Sequence, residues 1–256
     1  SSLALNPFHG QEKLMPRLYV EADLNEGETI ALDEGQARYL GDVMRLKTGA
    51  LVQVFNGRDG EFAAQLGETT KRGARLEISQ RTRAQAYPPD LALLFSPLKR
   101  QATDWLIEKA TELGAAALQP VMMRRTVAET VRLDRLTAIA REAAEQTERL
   151  DIPLIGAAEP LAKAIDGWDS ARPLIYCDEQ GEAPPILDAM KAINAKKLAV
   201  LIGPEGGFDP DERRMLRALN FVIPVSLGPR ILRAETAAVA TLALVQAAWG
   251  DWKNVA

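Results

Sequence analysis

The hydrophobic and polar positions divide the chain into an amino-terminal part of short strands and a carboxyl-terminal part in which strands and helices alternate. Between residues 17 and 83, short and partly alternating apolar runs between turn signals predict strands, with one helix over residues 34–44. The predicted strands are residues 18–20, 51–55, 61–66 and 75–78. Several short strands with little helix indicate a small β-barrel.

Beyond residue 90 the pattern changes, and apolar runs alternate with segments of helical period. They predict strands at residues 91–95, 117–121, 152–155, 174–177, 198–202 and 222–225. Helices are predicted over residues 104–113 and 133–149, near Leu161 and Leu187, after residue 209, and over residues 236–248. This alternation predicts an α/β fold with a mainly parallel sheet covered on both faces.

The last helix, residues 236–248, is apolar on nearly every face and must therefore be buried all round. Either a second subunit or the core of a monomer could bury it, and the pattern leaves both open.

Four segments follow from these patterns. Residues 1–14 lack periodicity and precede Met15, which resembles a natural start, so we interpret them as vector-derived and exclude them from the fold. Residues 15–83 form the predicted barrel domain, and residues 84–90, with two prolines, are the predicted linker. Residues 91–256 form the predicted α/β domain.

Composition narrows the functional classes. The 256 residues are 47% apolar and 26% charged, as in ordinary globular proteins, and no apolar run is long enough to span a membrane. The single cysteine, Cys177, cannot form an internal disulfide, and we expect a cytoplasmic protein. The only histidine, His9, lies in the excluded segment, which argues against a histidine base and a histidine-ligated metal. We predict no metal.

Two glycine-bearing loops follow two of the predicted strands. The first, residues 203–208, leads to Asp209, Pro210 and Glu212, which match the N-cap, N1 and N3 positions of a capping box. The second, residues 226–233, follows strand 222–225. Either loop alone could be a simple turn, but together they predict one ligand site. The spacings of dinucleotide and phosphate-binding loops are absent, which disfavours a conventional nicotinamide or ATP site.

The run IGPEGGF at 202–208, followed by SLGPRILRAETA at 226–237, resembles the ribosomal small-subunit methyltransferase E family of the SPOUT superfamily, which methylates N3 of a uridine in 16S ribosomal RNA. Residues 55–57 with 60–61, 109–114 and 142–146 add to the resemblance, which covers the chain from about Met15 to its end. Ala234 departs from it, since many relatives have threonine there. The resemblance implies a SPOUT trefoil-knot domain preceded by a PUA-like, RNA-binding β-barrel, and a homodimer.

The resemblance also implies S-adenosylmethionine as the cofactor, held by the two loops. The implied cofactor-binding residues are Leu201, Ile202, Gly203, Pro204, Glu205, Gly206, Gly207, Ser226, Leu227, Gly228, Ile231 and Leu232. Uridine N3 must lose a proton, and Glu205 or Glu235 could accept it while Arg233 or Arg230 stabilises the anionic base. Glu235 could equally be a residue of the first helical turn whose carboxylate interacts favourably with the positive end of the helix dipole.

Basic residues after strands and in the barrel are the candidates for RNA contact. We predict this role for Arg17, Arg72, Arg75, Lys99, Arg100, Arg124 and Arg125. The net charge of −4 does not exclude it, because local patches steer a polyanion. Solvated surface charge is the alternative for each.

The expected function is S-adenosylmethionine-dependent methylation of N3 of a specific uridine in 16S ribosomal RNA, with free RNA or the small ribosomal subunit as partner. Two alternatives stay open at this point. One is a SPOUT ribose 2′-O-methyltransferase, and the other is a non-catalytic RNA-binding factor of ribosome assembly.

Overall fold

A computed structural model describes residues 15–70, 73–128, 130–178 and 183–254. The chain separates into two compact units, with the division between Gln85 and Ala86. Arg72 and residues 1–14, including His9, lie outside the described residues.

The first unit is a five-stranded sheet with one short helix. Its elements are β1 (Arg17–Tyr19), β2 (Thr29–Leu32), α1 (Glu34–Arg38) with a π-helical turn (Tyr39–Val43), β3 (Leu51–Phe55), β4 (Glu61–Thr70) and β5 (Gly73–Arg83). The strand order is β1-β3-β4-β5-β2, in which β1 and β3 are parallel and the other pairs antiparallel. The pattern does not predict β2, because this strand contributes only Ile30 and Leu32 to the core.

The turn between β3 and β4 is held by side-chain hydrogen bonds to backbone groups. Asn56 Oδ1 accepts hydrogen bonds from the N–H groups of Arg58 and Asp59, while Asp59 Oδ2 accepts from the N–H of Leu24 at 3.0 Å. Glycine is required at Gly60, where φ is +98° and a Cβ would lie 2.2 Å from the Arg83 carbonyl oxygen. Residues 55–57 and 60–61, which carry part of the family resemblance, therefore form a turn that is bonded to the segment before β2.

The second unit is an α/β domain around a parallel sheet. Its elements are β6 (Asp90–Phe95), α2 (Arg100–Glu112), β7 (Ala117–Met122), α3 (Leu133–Gln146), β8 (Leu154–Ile155), β9 (Glu159–Pro160), α4 (Leu161–Ile165), β10 (Leu174–Cys177), α5 (Ile186–Met190), β11 (Lys197–Ile202), α6 (Pro210–Arg217), β12 (Val222–Val225), α7 (Ala234–Ala248) and a 3₁₀ turn (Asp251–Asn254). The strand order is β12-β10-β11-β6-β7-β8, with β9 paired to β7 and every pair parallel.

Two apolar cores cover the two faces of this sheet, because successive side chains of a strand point to opposite faces. Val200 and Ile202 of β11 belong to one core together with α2, α3 and α7. Ala199 and Leu201 belong to the other, together with α4 and α6. Helix and strand boundaries differ from the prediction by a few residues: α2 begins four residues early, α3 ends at Gln146, and α7 begins at Ala234.

Helix α7 packs in the first core and also contains polar side chains that have hydrogen-bond partners. Thr241 Oγ1 donates to the Ala237 carbonyl at 2.7 Å, and Gln246 Nε2 donates to the Leu113 carbonyl at 2.7 Å. Across the described ranges, no helix has the length and apolar character needed to cross a membrane.

Candidate cofactor and RNA site

The two glycine-bearing loops lie at the same edge of the sheet. Strands β11, β10 and β12 are neighbours and parallel, so their carboxyl ends meet where open α/β sheets place ligands. The loop after β12 is tied to the segment before α5: the Ser226 N–H donates to the Pro184 carbonyl at 2.8 Å, and the Ile186 N–H donates to the Ser226 carbonyl at 3.1 Å. Both main-chain polar groups of Ser226 thus anchor the start of the second loop to this segment.

Gly203 is required by packing inside the protein. A Cβ at this position would lie 2.5–2.9 Å from three ring atoms of Phe208. Phe208 is buried and meets Tyr176 edge-to-face at 4.7 Å. The first loop therefore folds back onto its own phenylalanine, and the Gly207 N–H closes a turn on the Pro204 carbonyl at 2.9 Å.

Gly228, in the second loop, is a different case. Its φ is +104°, and a Cβ there would meet no atom within 4 Å. The Gly228 N–H donates to Ser226 Oγ at 3.2 Å. A left-handed glycine that faces open space allows a ligand to approach bare backbone, which fits a cofactor recognised by main-chain groups.

Three of the four residues expected to handle the substrate belong to these loops and are accessible. Glu205, Arg230 and Arg233 are exposed, and in the described part of the chain neither arginine side chain makes a hydrogen bond or ion pair. Arg233 is the N-cap residue of α7, although its side chain makes no capping bond. Both guanidinium groups are therefore available to an anionic ligand.

Glu235 lies in the first turn of α7 and is half-buried. Its Oε2 atom is inaccessible to solvent and has no hydrogen-bond partner among the described residues. The helix dipole favours a carboxylate here, but an unpartnered buried oxygen is costly and is often satisfied by a ligand or water. This observation fits a group that is bound at the start of α7.

Leu201 and Ile202 lie in the sheet, and their side chains are buried in the two opposite cores. Only their backbone could contact a cofactor. Pro204 is also buried, whereas Ile231 is 87% exposed at the tip of the second loop.

Arg124 and Arg125, predicted to contact RNA, contact the first loop and the start of α6. Arg124 Nη1 pairs with Asp211 at 2.5 Å and Asp209 at 2.7 Å, and these hydrogen bonds raise the pKa of Arg124. Arg125 Nη1 donates to the Gly206 carbonyl at 2.9 Å. Their first partners are therefore in the protein.

The other candidate RNA residues fall into distinct environments. Lys99 and Arg100 are exposed at the start of α2, and Arg75 is exposed on β5 of the first unit. Arg17 is 8% exposed, pairs with Glu61 at 2.8 Å and lies over the Phe55 ring. Because this guanidinium is held inside the first unit, we leave Arg17 out of the proposed RNA surface.

Two buried acidic residues support the site: Glu212, which the sequence placed only in a capping box that the structure confirms, and Asp178, which sequence reasoning missed. Glu212 is buried, and its carboxylate accepts from the N–H of Arg124 at 2.8 Å and from the N–H of Asp209 at 3.2 Å. Asp178 is buried at the carboxyl end of β10 and pairs with two arginines of α6. The rule that strand ends carry function could have singled out Asp178, since it directly follows an apolar run. Among the residues that the structure describes, no cluster of His, Cys, Asp and Glu could hold a metal ion.

Comparisons with known proteins agree with this geometry. Residues 85–246 match the RNA methyltransferase domain family, and residues 32–79 match the RNA methyltransferase PUA domain family. Ribosomal RNA small subunit methyltransferase E of Rickettsia conorii is 31% identical over 232 residues, which cover 90% of this chain and 94% of the relative. The chain belongs to the ribosomal RNA small subunit methyltransferase E family.

Two solved structures extend the match to the whole fold. The Neisseria gonorrhoeae member, bound to S-adenosylmethionine, superimposes with a TM-score of 0.82 at 29% identity and covers 93% of this chain and 99% of its own. A Legionella pneumophila protein with S-adenosylmethionine bound gives 0.84 at 26% identity, with the same coverage. The predicted family and the fold class, an α/β methyltransferase domain with a PUA-like domain before it, are confirmed; the SPOUT assignment and the chain path of the knot stay predictions.

Proposed function

We propose that this protein transfers a methyl group from S-adenosylmethionine to N3 of a specific uridine in 16S ribosomal RNA. Membership of the small subunit methyltransferase E family supports the RNA and the cofactor. The observation that carries the proposal is the pair of glycine-bearing loops at one edge of a parallel sheet. The cofactor supplies an activated methyl group and its leaving group, so the protein has to bind it, align the acceptor and handle one proton.

Backbone groups of the two loops form the proposed cofactor cradle. The open space at Gly228 supports close approach of the cofactor to main-chain N–H and C=O groups. The proposed residues are Gly203, Pro204, Glu205, Gly206, Gly207, Ser226, Leu227, Gly228, Ile231 and Leu232, with the backbone of Leu201 and Ile202. Gly203 contributes indirectly, because its missing Cβ admits Phe208 and so sets the path of the loop.

Arg233 is the proposed group that stabilises negative charge on the uridine ring, with Arg230 as a second candidate. Both are accessible and free of partners in the described residues, so neither has to break an ion pair to engage the base. A guanidinium close to N3 lowers the pKa of that position, because it favours the charged form. Glu235, whose Oε2 lacks a partner in the described structure, is the proposed proton acceptor ahead of the exposed Glu205.

Lys99, Arg100 and Arg125 are the proposed phosphate contacts of the methyltransferase unit, and Arg75 is the proposed contact of the PUA-like unit. All four are exposed. Uridine N3 lies on the Watson–Crick edge, so the target base has to be unpaired or extruded before transfer. The expected substrate is therefore a single-stranded or locally opened region of 16S ribosomal RNA.

Helix α7 supports a homodimer. Several of its apolar residues stay only half-buried within one chain, among them Ala237, Val239, Ala240, Ala243 and Leu244. A helix that is apolar on most faces needs a second surface to bury its remaining apolar side chains, and another copy of the chain would supply that surface. A cytoplasmic location is proposed on the single cysteine and on the ribosomal substrate.

The test is methyl transfer from labelled S-adenosylmethionine to small subunits from cells that lack this gene, followed by nucleoside analysis. Label in N3-methyluridine is expected, and it should be lost with Arg233→Ala but retained with Lys163→Ala, an exposed basic control on α4. Label in a ribose-methylated nucleoside would refute the N3 acceptor. Cofactor binding without any transfer would favour a non-catalytic assembly factor.

A further inference from the structure

Asp178 is a buried carboxylate that the transfer chemistry does not use. Its side chain is 0% exposed, although it directly follows β10 at the edge of the sheet where the two loops lie. A fully buried aspartate is rare unless it is paired, so its partners indicate its role.

Both carboxylate oxygens of Asp178 are bound to arginines of α6. Arg217 donates to Oδ2 from Nε at 3.0 Å and from Nη2 at 2.7 Å, and Arg213 Nε lies 3.2 Å from Oδ1. Arg213 Nε also donates to the hydroxyl of Tyr176 at 3.4 Å. Since α6 begins directly after the first glycine loop, these bonds hold the helix that terminates this loop.

The backbone of Asp178 is bound to the second loop's strand. Its N–H donates to the Val225 carbonyl at 3.2 Å, and Val225 is the last residue of β12 before Ser226. One residue therefore bonds through its side chain to α6 and through its backbone to the end of β12. These two connections fix the separation between the elements that carry the two loops.

Such a buried ion cluster is a weak source of net stability, because desolvation of the three charges offsets their attraction. Its stronger effect is geometric: the two arginines can satisfy the carboxylate in only a narrow range of helix positions. A cofactor bound by backbone groups of both loops depends on that spacing, since main-chain groups cannot adjust as side chains do.

We infer that Asp178 is a positioning residue for cofactor binding, which sets the spacing of the two glycine-bearing loops through Arg213 and Arg217. The inference rests on the proposed function, because it assumes that S-adenosylmethionine binds between these loops. It assigns a role in the cofactor site to a residue outside both loops.

The test compares Asp178→Asn with a matched control, Asp151→Asn. Asp151 pairs with Arg149 at 2.8 Å and is also largely buried, but Arg149 contacts the carbonyls of Thr111 and Ala115, before β7 begins and so at the opposite ends of the strands. Both variants are expected to lower the melting temperature. Only Asp178→Asn should raise the calorimetric Kd for S-adenosylmethionine, by about tenfold, because preorganisation of the loops is lost.

Two further measurements separate positioning from general destabilisation. Amide hydrogen exchange should increase in residues 203–209 and 226–233 of Asp178→Asn and not in those of Asp151→Asn. Arg217→Gln, at a partly exposed position, is the milder variant if Asp178→Asn fails to fold. It should raise the same Kd, and combining it with Asp178→Asn should add little, since both changes break one interaction.

A Kd within twofold of wild type in folded Asp178→Asn or Arg217→Gln, or an equal rise in Asp151→Asn, would overturn the inference. These outcomes differ from failure of the proposed function, in which the wild-type protein itself would not bind S-adenosylmethionine.

Discussion

The substitution Gly203→Ala tests how the first loop is built. The added Cβ would stand 2.5 Å from one Phe208 ring atom and 2.9 Å from two others, well inside ordinary carbon–carbon contact. Phe208 cannot move freely, because it is buried and packs edge-to-face on Tyr176. Overpacking of this kind costs about 1–3 kcal/mol.

For a unit of this size that loss corresponds to a fall in melting temperature of about 2–12 °C. Thermal unfolding measures it, and calorimetry with S-adenosylmethionine measures the accompanying loss of affinity as the loop is displaced. Gly206→Ala is the matched control: its Cβ would lie 3.5 Å from the Cβ of Arg125, an ordinary contact. Its melting temperature should stay near wild type.

A second variant isolates the cause. Adding Phe208→Leu to Gly203→Ala removes ring atoms from the clash, so the double variant should lose less stability than the sum of the two single changes. Strict additivity, or a Gly203→Ala protein as stable as Gly206→Ala, would refute the reasoning that packing requires Gly203.

Three further predictions follow from other contacts. Arg233→Ala should lower kcat by about 10²–10³ with little change in the Kd for S-adenosylmethionine, as for loss of one group that stabilises developing charge; an unchanged kcat would exclude Arg233 from that role. Lys99→Ala and Arg100→Ala should each reduce the slope of log affinity for RNA against log salt by about 1, whereas Arg17→Met should leave it unchanged in filter-binding assays. Hydrogen bonds from Asn56 and from the Leu24 N–H lower the pKa of Asp59. The ionised carboxylate therefore stabilises the fold above its unfolded pKa, and this contribution is lost as pH falls through the lower folded pKa. Asn56→Ala should raise the pKa of Asp59 in a carbon-detected NMR titration, and an unchanged pKa would contradict this assignment.

The hydrophobic pattern of the chain is sufficient to predict the alternation of strands and helices in the second unit, because the longer helices carry a period and most strands are continuous apolar runs. Strand β11 is apolar from Leu198 to Ile202 and is buried on both faces there, as its pattern indicates. Strand β2 is not predicted, because it gives only two residues to the core, whereas the equally short β10 and β12 are continuous apolar runs. The order β12-β10-β11 cannot be derived either, because no local pattern records which strands pair.

Glycine in the two loops illustrates a similar limit. Both loops are predicted to expose backbone to a ligand, and the open space at Gly228 agrees with that interpretation. Gly203 is required for another reason, the ring of Phe208, five residues further along the chain. The residue type indicates that a Cβ is not tolerated, but only the fold identifies what the Cβ would strike.

For the arginines, residue type alone does not indicate whether the side chain binds an RNA phosphate or a carboxylate of the protein. A guanidinium at a strand end suits a phosphate and a carboxylate equally well, since both accept paired hydrogen bonds. Arg124 is bound to Asp209 and Asp211, more than eighty positions away in the sequence, so no local pattern could have indicated the pairing. An RNA phosphate would have to compete with these carboxylates, whereas it meets no such competitor at the exposed Arg100 within the described structure. Arg124→Ala should therefore affect the first glycine-bearing loop before it affects RNA affinity, and we expect the salt dependence of RNA binding to come mainly from the start of α2.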